Sequence, residues 1–96
     1  MVRRSRLEIY FDVLTEIEKG AVKPTQIMYH TYLSWAMLKK TLEVLIENGF
    51  VEEKKENKNT RKYQITDAGR SALSYYLKAS DGLAKPREQL TQKLPV

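Results

Sequence analysis

Ser34 with Lys39 and Lys40 shortly after it, together with five cations between Lys54 and Lys62, are the side chains best equipped for chemistry in this chain. Their chemistry is charge-assisted binding. A serine at a helix start lies beside free backbone amides, which suit a phosphate, and a lysine one or two turns on can offer donors to a guanine edge. The second group is Lys54, Lys55, Lys58, Arg61 and Lys62 set against Glu52, Glu53 and Glu56, five cations to three carboxylates, a net +2. Other chemistries lack their parts. Glu52 and Glu53 are adjacent in an extended segment, so their side chains point to opposite faces and form no catalytic pair. His30 is the single histidine and there is no cysteine, so a metal site has too few ligands. Neither a glycine-rich phosphate loop nor a Ser-His-Asp order occurs. The expectation is no enzyme, no metal and no cofactor, and no small-molecule ligand is evident.

These groups sit in a chain of 96 residues, 42% hydrophobic and 30% charged, with 17 Lys and Arg against 12 Asp and Glu and a net charge of +5. That length holds one domain with a modest core, which a dimer interface would help to stabilise. The excess of positive charge points to an acidic partner, nucleic acid before an anionic membrane surface. Apolar runs such as Val44-Leu45-Ile46 are far short of the roughly 20 residues that a membrane span needs. The basic start, Met1-Val2-Arg3-Arg4-Ser5-Arg6, is followed by Glu8, Asp12, Glu16 and Glu18 where a signal peptide would be apolar. A cytoplasmic location is expected, and the absence of cysteine is compatible with it.

The elements that must position these residues follow from spacing and caps. Ser5 with Glu8 is a capping box, opening a first helix at Arg6 whose stripe is Leu7, Tyr10, Phe11, Leu14 and Ile17, and Gly20 stops it. Lys23-Pro24-Thr25 starts a second, short helix over Gln26 to Thr31, with Thr25 as its cap. Ser34 caps a third, Trp35 to Asn48, closed by Gly49. Two helices joined by so few residues form a helix-turn-helix corner. Phe50 to Lys55 and Arg61 to Thr66 read as two strands joined by the polar stretch Glu56-Asn57-Lys58-Asn59-Thr60, a β-hairpin. Thr66 caps a fourth helix whose stripe is Ala68, Ala72, Leu73, Tyr76 and Leu77, fading near Ser80-Asp81-Gly82. The expected architecture is α+β: a winged helix-turn-helix domain over residues 5–79, then a flexible or weakly helical tail over 80–96.

Three segments sharpen this: Lys23-Pro24-Thr25-Gln26-Ile27-Met28-Tyr29, Leu33-Ser34-Trp35-Ala36-Met37-Leu38-Lys39-Lys40-Thr41-Leu42, and Tyr63-Gln64-Ile65-Thr66-Asp67-Ala68-Gly69. Together they resemble the small archaeal winged-helix DNA-binding family, which includes the 10a-type nucleoid proteins of Sulfolobales, with Leu45 to Phe50 similar to a passage that follows the helix pair there. The resemblance implies that the third helix lies in a major groove, that the hairpin is a wing on the backbone or an adjacent groove, and that the fourth helix pairs two subunits. In 10a-type members the last helix continues into a long antiparallel coiled coil, whereas Gly82 and Pro86 interrupt it here.

At 100° per residue, Leu38, Leu42 and Leu45, edged by Trp35 and Ile46, form the buried side of the third helix, and Ala36, Met37, Lys40, Val44 and Glu47 lie opposite. The DNA-binding candidates are Thr25, Gln26, Ser34, Trp35, Met37, Lys39 and Lys40 at the corner, with Lys58, Asn59, Arg61 and Lys62 on the wing. The dimerisation candidates are Leu73, Tyr76 and Leu77. Each has a plainer reading beside it. Lys39 and Lys40 also suit a solvated helix face, Trp35 a core edge, and the wing lysines a strand edge guarded against aggregation. Arg3, Arg4 and Arg6 are either an arm on phosphate or an unstructured start. The expected function is double-stranded DNA binding by a homodimer, as a transcriptional regulator or an architectural protein. The alternative is a winged-helix module that docks proteins, which Val44 on the outer side would favour. A sensor with a pocket near Tyr75 and Tyr76 is a third class.

Overall fold

The computed structural model describes residues 4–84. Helix α1 (Arg6–Glu18) begins at the expected capping box: Ser5 Oγ accepts from the Glu8 amide at 3.1 Å, and the Ser5 amide donates to Glu8 Oε1 at 3.3 Å. Its buried residues are Val13, Leu14 and Ile17, all in its second half. Leu7, expected on the core stripe, is 55% exposed.

Helix α2 (Pro24–Thr31) starts two residues earlier than the spacing suggests. Pro24 has no N–H to satisfy and its fixed φ suits the first helical position, so Lys23 becomes the cap residue and Thr25 lies inside the helix. The Lys23 amide donates instead to Gln26 Oε1 at 3.3 Å. The helix ends at Tyr32, which adopts left-handed dihedrals (φ 59°, ψ 29°). Ser34 then caps helix α3 (Trp35–Glu47), its Oγ accepting from the Met37 amide at 3.2 Å. Gly49 at φ 76° turns the chain, and the Phe50 amide reaches back to the Leu45 carbonyl at 2.9 Å.

Strands β1 (Val51–Lys55) and β2 (Arg61–Ile65) pair antiparallel, with Val51 opposite Ile65 and Glu53 opposite Tyr63. The Tyr63 amide also donates to the Val22 carbonyl at 2.9 Å, tying the wing to the segment before α2. Helix α4 (Asp67–Ala84) follows at once. Thr66 pins its start: Oγ1 accepts from the Gly69 amide at 3.0 Å and donates to the Gly49 carbonyl at 2.6 Å. The helix passes through Ser80-Asp81-Gly82, where one interior glycine costs only about 1 kcal/mol. It thus extends beyond the expected boundary at residue 79, whereas Pro86 and the rest of the tail lie outside the described residues.

The core gathers Val13, Leu14, Ile17, Ile27, Leu33, Leu38, Leu42, Leu45, Val51, Tyr63 and Leu73, drawn from every helix and both strands. Each such side chain contributes at most roughly 1.5–3 kcal/mol on burial. The two buried threonines are satisfied within their own helices, Thr31 Oγ1 donating to the Ile27 carbonyl at 2.6 Å and Thr41 Oγ1 to that of Met37 at 2.8 Å. On α4, Leu73 and Gly69 are buried, whereas Ala68 and Leu77 of the expected stripe are exposed.

Burial, and after it the Glu53 carboxylate across the ladder, hold the Tyr63 phenol above its ordinary value, with Arg61 opposing them. A raised folded-state value means that the folded chain keeps a proton the unfolded chain releases near pH 10. This contribution is complete below about pH 10 and is lost as pH rises through the folded value. Urea midpoints of the wild type should therefore fall more steeply than those of Tyr63→Phe above about pH 10. Parallel curves would contradict the assignment.

Candidate nucleic-acid interface

Core packing of Leu38, Thr41, Leu42 and Leu45 turns the opposite side of α3 outward. Ala36, Met37, Lys39, Lys40, Glu43 and Glu47 are all exposed there, so the first half of that side is cationic and the second half acidic. Met37 is 42% exposed and Trp35 48%. No described carboxylate pairs with Lys39 or Lys40 within 4.0 Å. Ser34 Oγ already serves its own helix through Met37, which leaves the amides of Trp35 and Ala36 at the helix start.

Trp35 leans toward the wing. A cleft lined by Lys23, Pro24, Thr25, Trp35, Asn59, Thr60, Arg61 and Tyr63 joins the start of α2, the start of α3 and the wing. Of the expected DNA-binding residues, Thr25, Trp35, Asn59 and Arg61 meet in this cleft. Met37 and Lys40 line another, against α1, with Arg6, Tyr10 and Val44. Gln26 lies on the side of α2 toward Glu16 and Lys19, its Oε1 engaged by the Lys23 amide, so it stands apart from both groups.

On the wing, Lys58 is exposed at a tip shaped by the Asn59 amide donating to Asn57 Oδ1 at 3.0 Å. Two other wing cations are engaged. Arg61 Nη1 is 3.5 Å from Glu53 Oε1, and Lys62 Nζ is 2.7 Å from Glu56 Oε1. Lys54 and Lys55 are exposed and make no ion pair within the described residues, which makes them better placed for an outside anion than Lys62. Sequence reasoning left three residues off the site: Lys23, read only as a helix-start signal, and Lys54 and Lys55, counted in the wing charge alone. It also passed over Glu43, which the 100° rule places beside Lys40 on the outer side.

The flanks of the site are held by contacts within the chain. Arg4 is held by Asp12 at 2.9 Å, folded onto α1 and not extended as an arm. His30 Nδ1 lies 3.2 Å from Glu16 Oε1, joining α2 to α1. Val44 is half-buried against α1. Among the dimerisation candidates, Leu73 is only 6% exposed and belongs to the core, and Tyr76 stacks on Phe11 with ring centroids 4.1 Å apart. Leu77 (52% exposed) and Tyr75 (79%) are the large apolar side chains that α4 exposes among the described residues. Among the described residues, no group of three or more His, Cys, Asp or Glu side chains comes together to hold a metal ion, and no helix is long and apolar enough to cross a membrane.

A three-helix core with a two-stranded wing, and a helix-turn-helix corner whose second helix starts with a cationic outer side, defines a winged helix-turn-helix protein. The chain belongs to the winged helix-turn-helix family, whose model matches residues 3–82. An uncharacterized protein of Methanocaldococcus jannaschii, MJ0287, is 35% identical over 72 residues, 75% of this chain and 69% of that one. Among solved structures, Sso10a-2, a DNA-binding protein from Sulfolobus solfataricus, superposes with a TM-score of 0.69 at 26% identity, covering 97% of this chain and 99% of that one. RosR of H. salinarum shares the fold, with a TM-score of 0.71 at 22% identity over 88% of this chain and 86% of that one.

Proposed function

We propose that this protein binds double-stranded DNA as a homodimer and acts as a transcriptional regulator or an architectural protein in the cytoplasm, by binding and without a chemical step. The observation that carries the reading is the pair Lys39 and Lys40, exposed on the first half of α3 with no described carboxylate within 4.0 Å. The 26% identity to Sso10a-2, a DNA-binding protein matched over nearly its whole length, supports it. In this mechanism Lys39, Lys55 and Lys58 neutralise phosphates, α3 lies in the major groove, and the wing follows the backbone or minor groove. Lys40 and Met37 then meet base edges. Leu77 and Tyr75, exposed on α4, would meet a second subunit, and two-fold symmetry would require a pseudo-palindromic site.

Fluorescence anisotropy with a random duplex at two salt concentrations tests this. Three phosphate contacts per subunit, about six per dimer, imply roughly a thousandfold loss of affinity between about 50 and 200 mM salt. Absence of binding at the lower salt, or binding indifferent to salt, would sink the proposal.

A further inference from the structure

We propose that the cleft between α1 and the outer side of α3 is a binding site for a small organic carboxylate with an apolar body, and that its occupancy competes with DNA. The cleft has a volume of about 310 Å³. That lies at the lower end of the range for small-molecule sites, which are mainly apolar with a few convergent polar groups.

The lining matches such a ligand. Ile9, Met37, Val44 and the ring of Tyr10 form the walls, all reachable by solvent and none of them fully buried. Arg6 from α1 and Lys40 from α3 both line the cleft, and neither has a described carboxylate within 4.0 Å. Glu43 is the single acidic residue of the lining, so the cleft carries a net +1 from two cations and one carboxylate. A carboxylate is the ligand group that two unpaired cations of this kind hold through charge-assisted hydrogen bonds, Arg6 by its planar fork. The apolar walls then bury a ring or branched chain, which inorganic phosphate and acetate lack. Thr41 also lines the cleft, but its hydroxyl hydrogen is already donated to the Met37 carbonyl at 2.8 Å, so the charge-assisted contacts fall to Arg6 and Lys40.

The competition follows from shared residues and rests on the DNA-binding reading. Met37 and Lys40 line the cleft and also stand on the side of α3 assigned to base edges. A carboxylate held by Lys40 removes that ammonium from DNA and places a negative charge where phosphates must approach.

The DNA-free protein provides the first test. Amide shifts followed by NMR should saturate with benzoate, centred on Tyr10, Met37, Thr41 and Val44. Acetate, which has the charge alone, and benzyl alcohol, which has the ring alone, should each bind at least about tenfold more weakly. Arg6→Gln should weaken benzoate binding about tenfold with an unchanged thermal midpoint. Ile9→Phe, which fills the cleft, should abolish it. Shifts that do not saturate, that centre on the wing, or that acetate reproduces overturn the site. In the second test, saturating benzoate should raise the half-saturation concentration for duplex DNA in the wild type but not in Ile9→Phe. Binding in the cleft with no effect on DNA overturns the competition. If no duplex is bound at all, the DNA reading fails while the first test still decides the site.

Discussion

Gly69→Ala should lower the urea midpoint of this protein, by about 1–3 kcal/mol of stability, although alanine is the better helix former. Gly69 lies in the first turn of α4, where propensity alone would make the change stabilising by up to about 1 kcal/mol. Its surroundings reverse the sign. A Cβ on Gly69 would overlap the Phe50 carbonyl oxygen and stand 2.7 Å from Ile65 Cγ1. The Phe50 carbonyl cannot retreat cheaply, because it accepts from the Thr66 amide at 3.0 Å, and the neighbouring Gly49 carbonyl accepts from Thr66 Oγ1. Thr66 therefore holds α4 down on the first residues of the wing, and only a residue without a side chain allows that approach. Ser71→Ala, two residues along on the exposed side, serves as the control and should raise stability by a few tenths of a kcal/mol. A midpoint for Gly69→Ala equal to or above the wild type would show that the helix sits farther from Phe50 than described.

Lys40→Ala should cost roughly 1–3 kcal/mol on a preferred duplex and relax the preference at one base pair per half-site. Lys58→Ala should weaken binding to every duplex alike and reduce the salt slope by about one per subunit. The difference lies in position. Lys40 is on the outward side of the second turn of α3, where a helix in the major groove meets base edges, whereas Lys58 is at the wing tip, beyond the paired strands. Glu43, one turn on from Lys40, bounds the cationic region and would be repelled by phosphate, which limits how much of α3 can enter the groove. Duplexes selected from a random library with each protein would separate the two roles. Equal losses on all sequences from both changes would contradict them.

Most element starts were legible because caps are local. Ser5 with Glu8, Ser34 and Thr66 each declare a helix through a hydrogen bond spanning three residues. Thr25 misled for a related reason: it has a capping side chain, but the preceding Pro24 fits the first helical position better and shifts the cap to Lys23. The apolar stripes gave the right sides of the helices and the wrong extents. Leu7 and Leu77 have core spacing, yet whether they are covered depends on how far neighbouring elements reach, which periodicity does not encode. Leu73 satisfied the same pattern and was already needed by the chain's own core.

The candidate site divides along the same line. The 100° rule sufficed to turn Lys40 outward and to set Lys39 to one side, since it needs only the identity of the buried leucines. The engagement of Arg61 by Glu53 and of Lys62 by Glu56 depends on strand register and tip geometry, so counting charges in the wing could not distinguish them from Lys54, Lys55 and Lys58. The role of Gly69 was invisible for a similar reason. Its phrase, Tyr63 to Gly69, carried the resemblance, but the contact that requires glycine is with Phe50, nineteen positions earlier in the chain.

Mapping of backbone amide shifts on addition of a selected duplex tests the central claim most directly. The account predicts the largest changes from Ser34 to Lys40, with a second set from Asn57 to Thr60 at the wing tip. Amides of α3 that stay unmoved while those of α1 or α4 shift would contradict it.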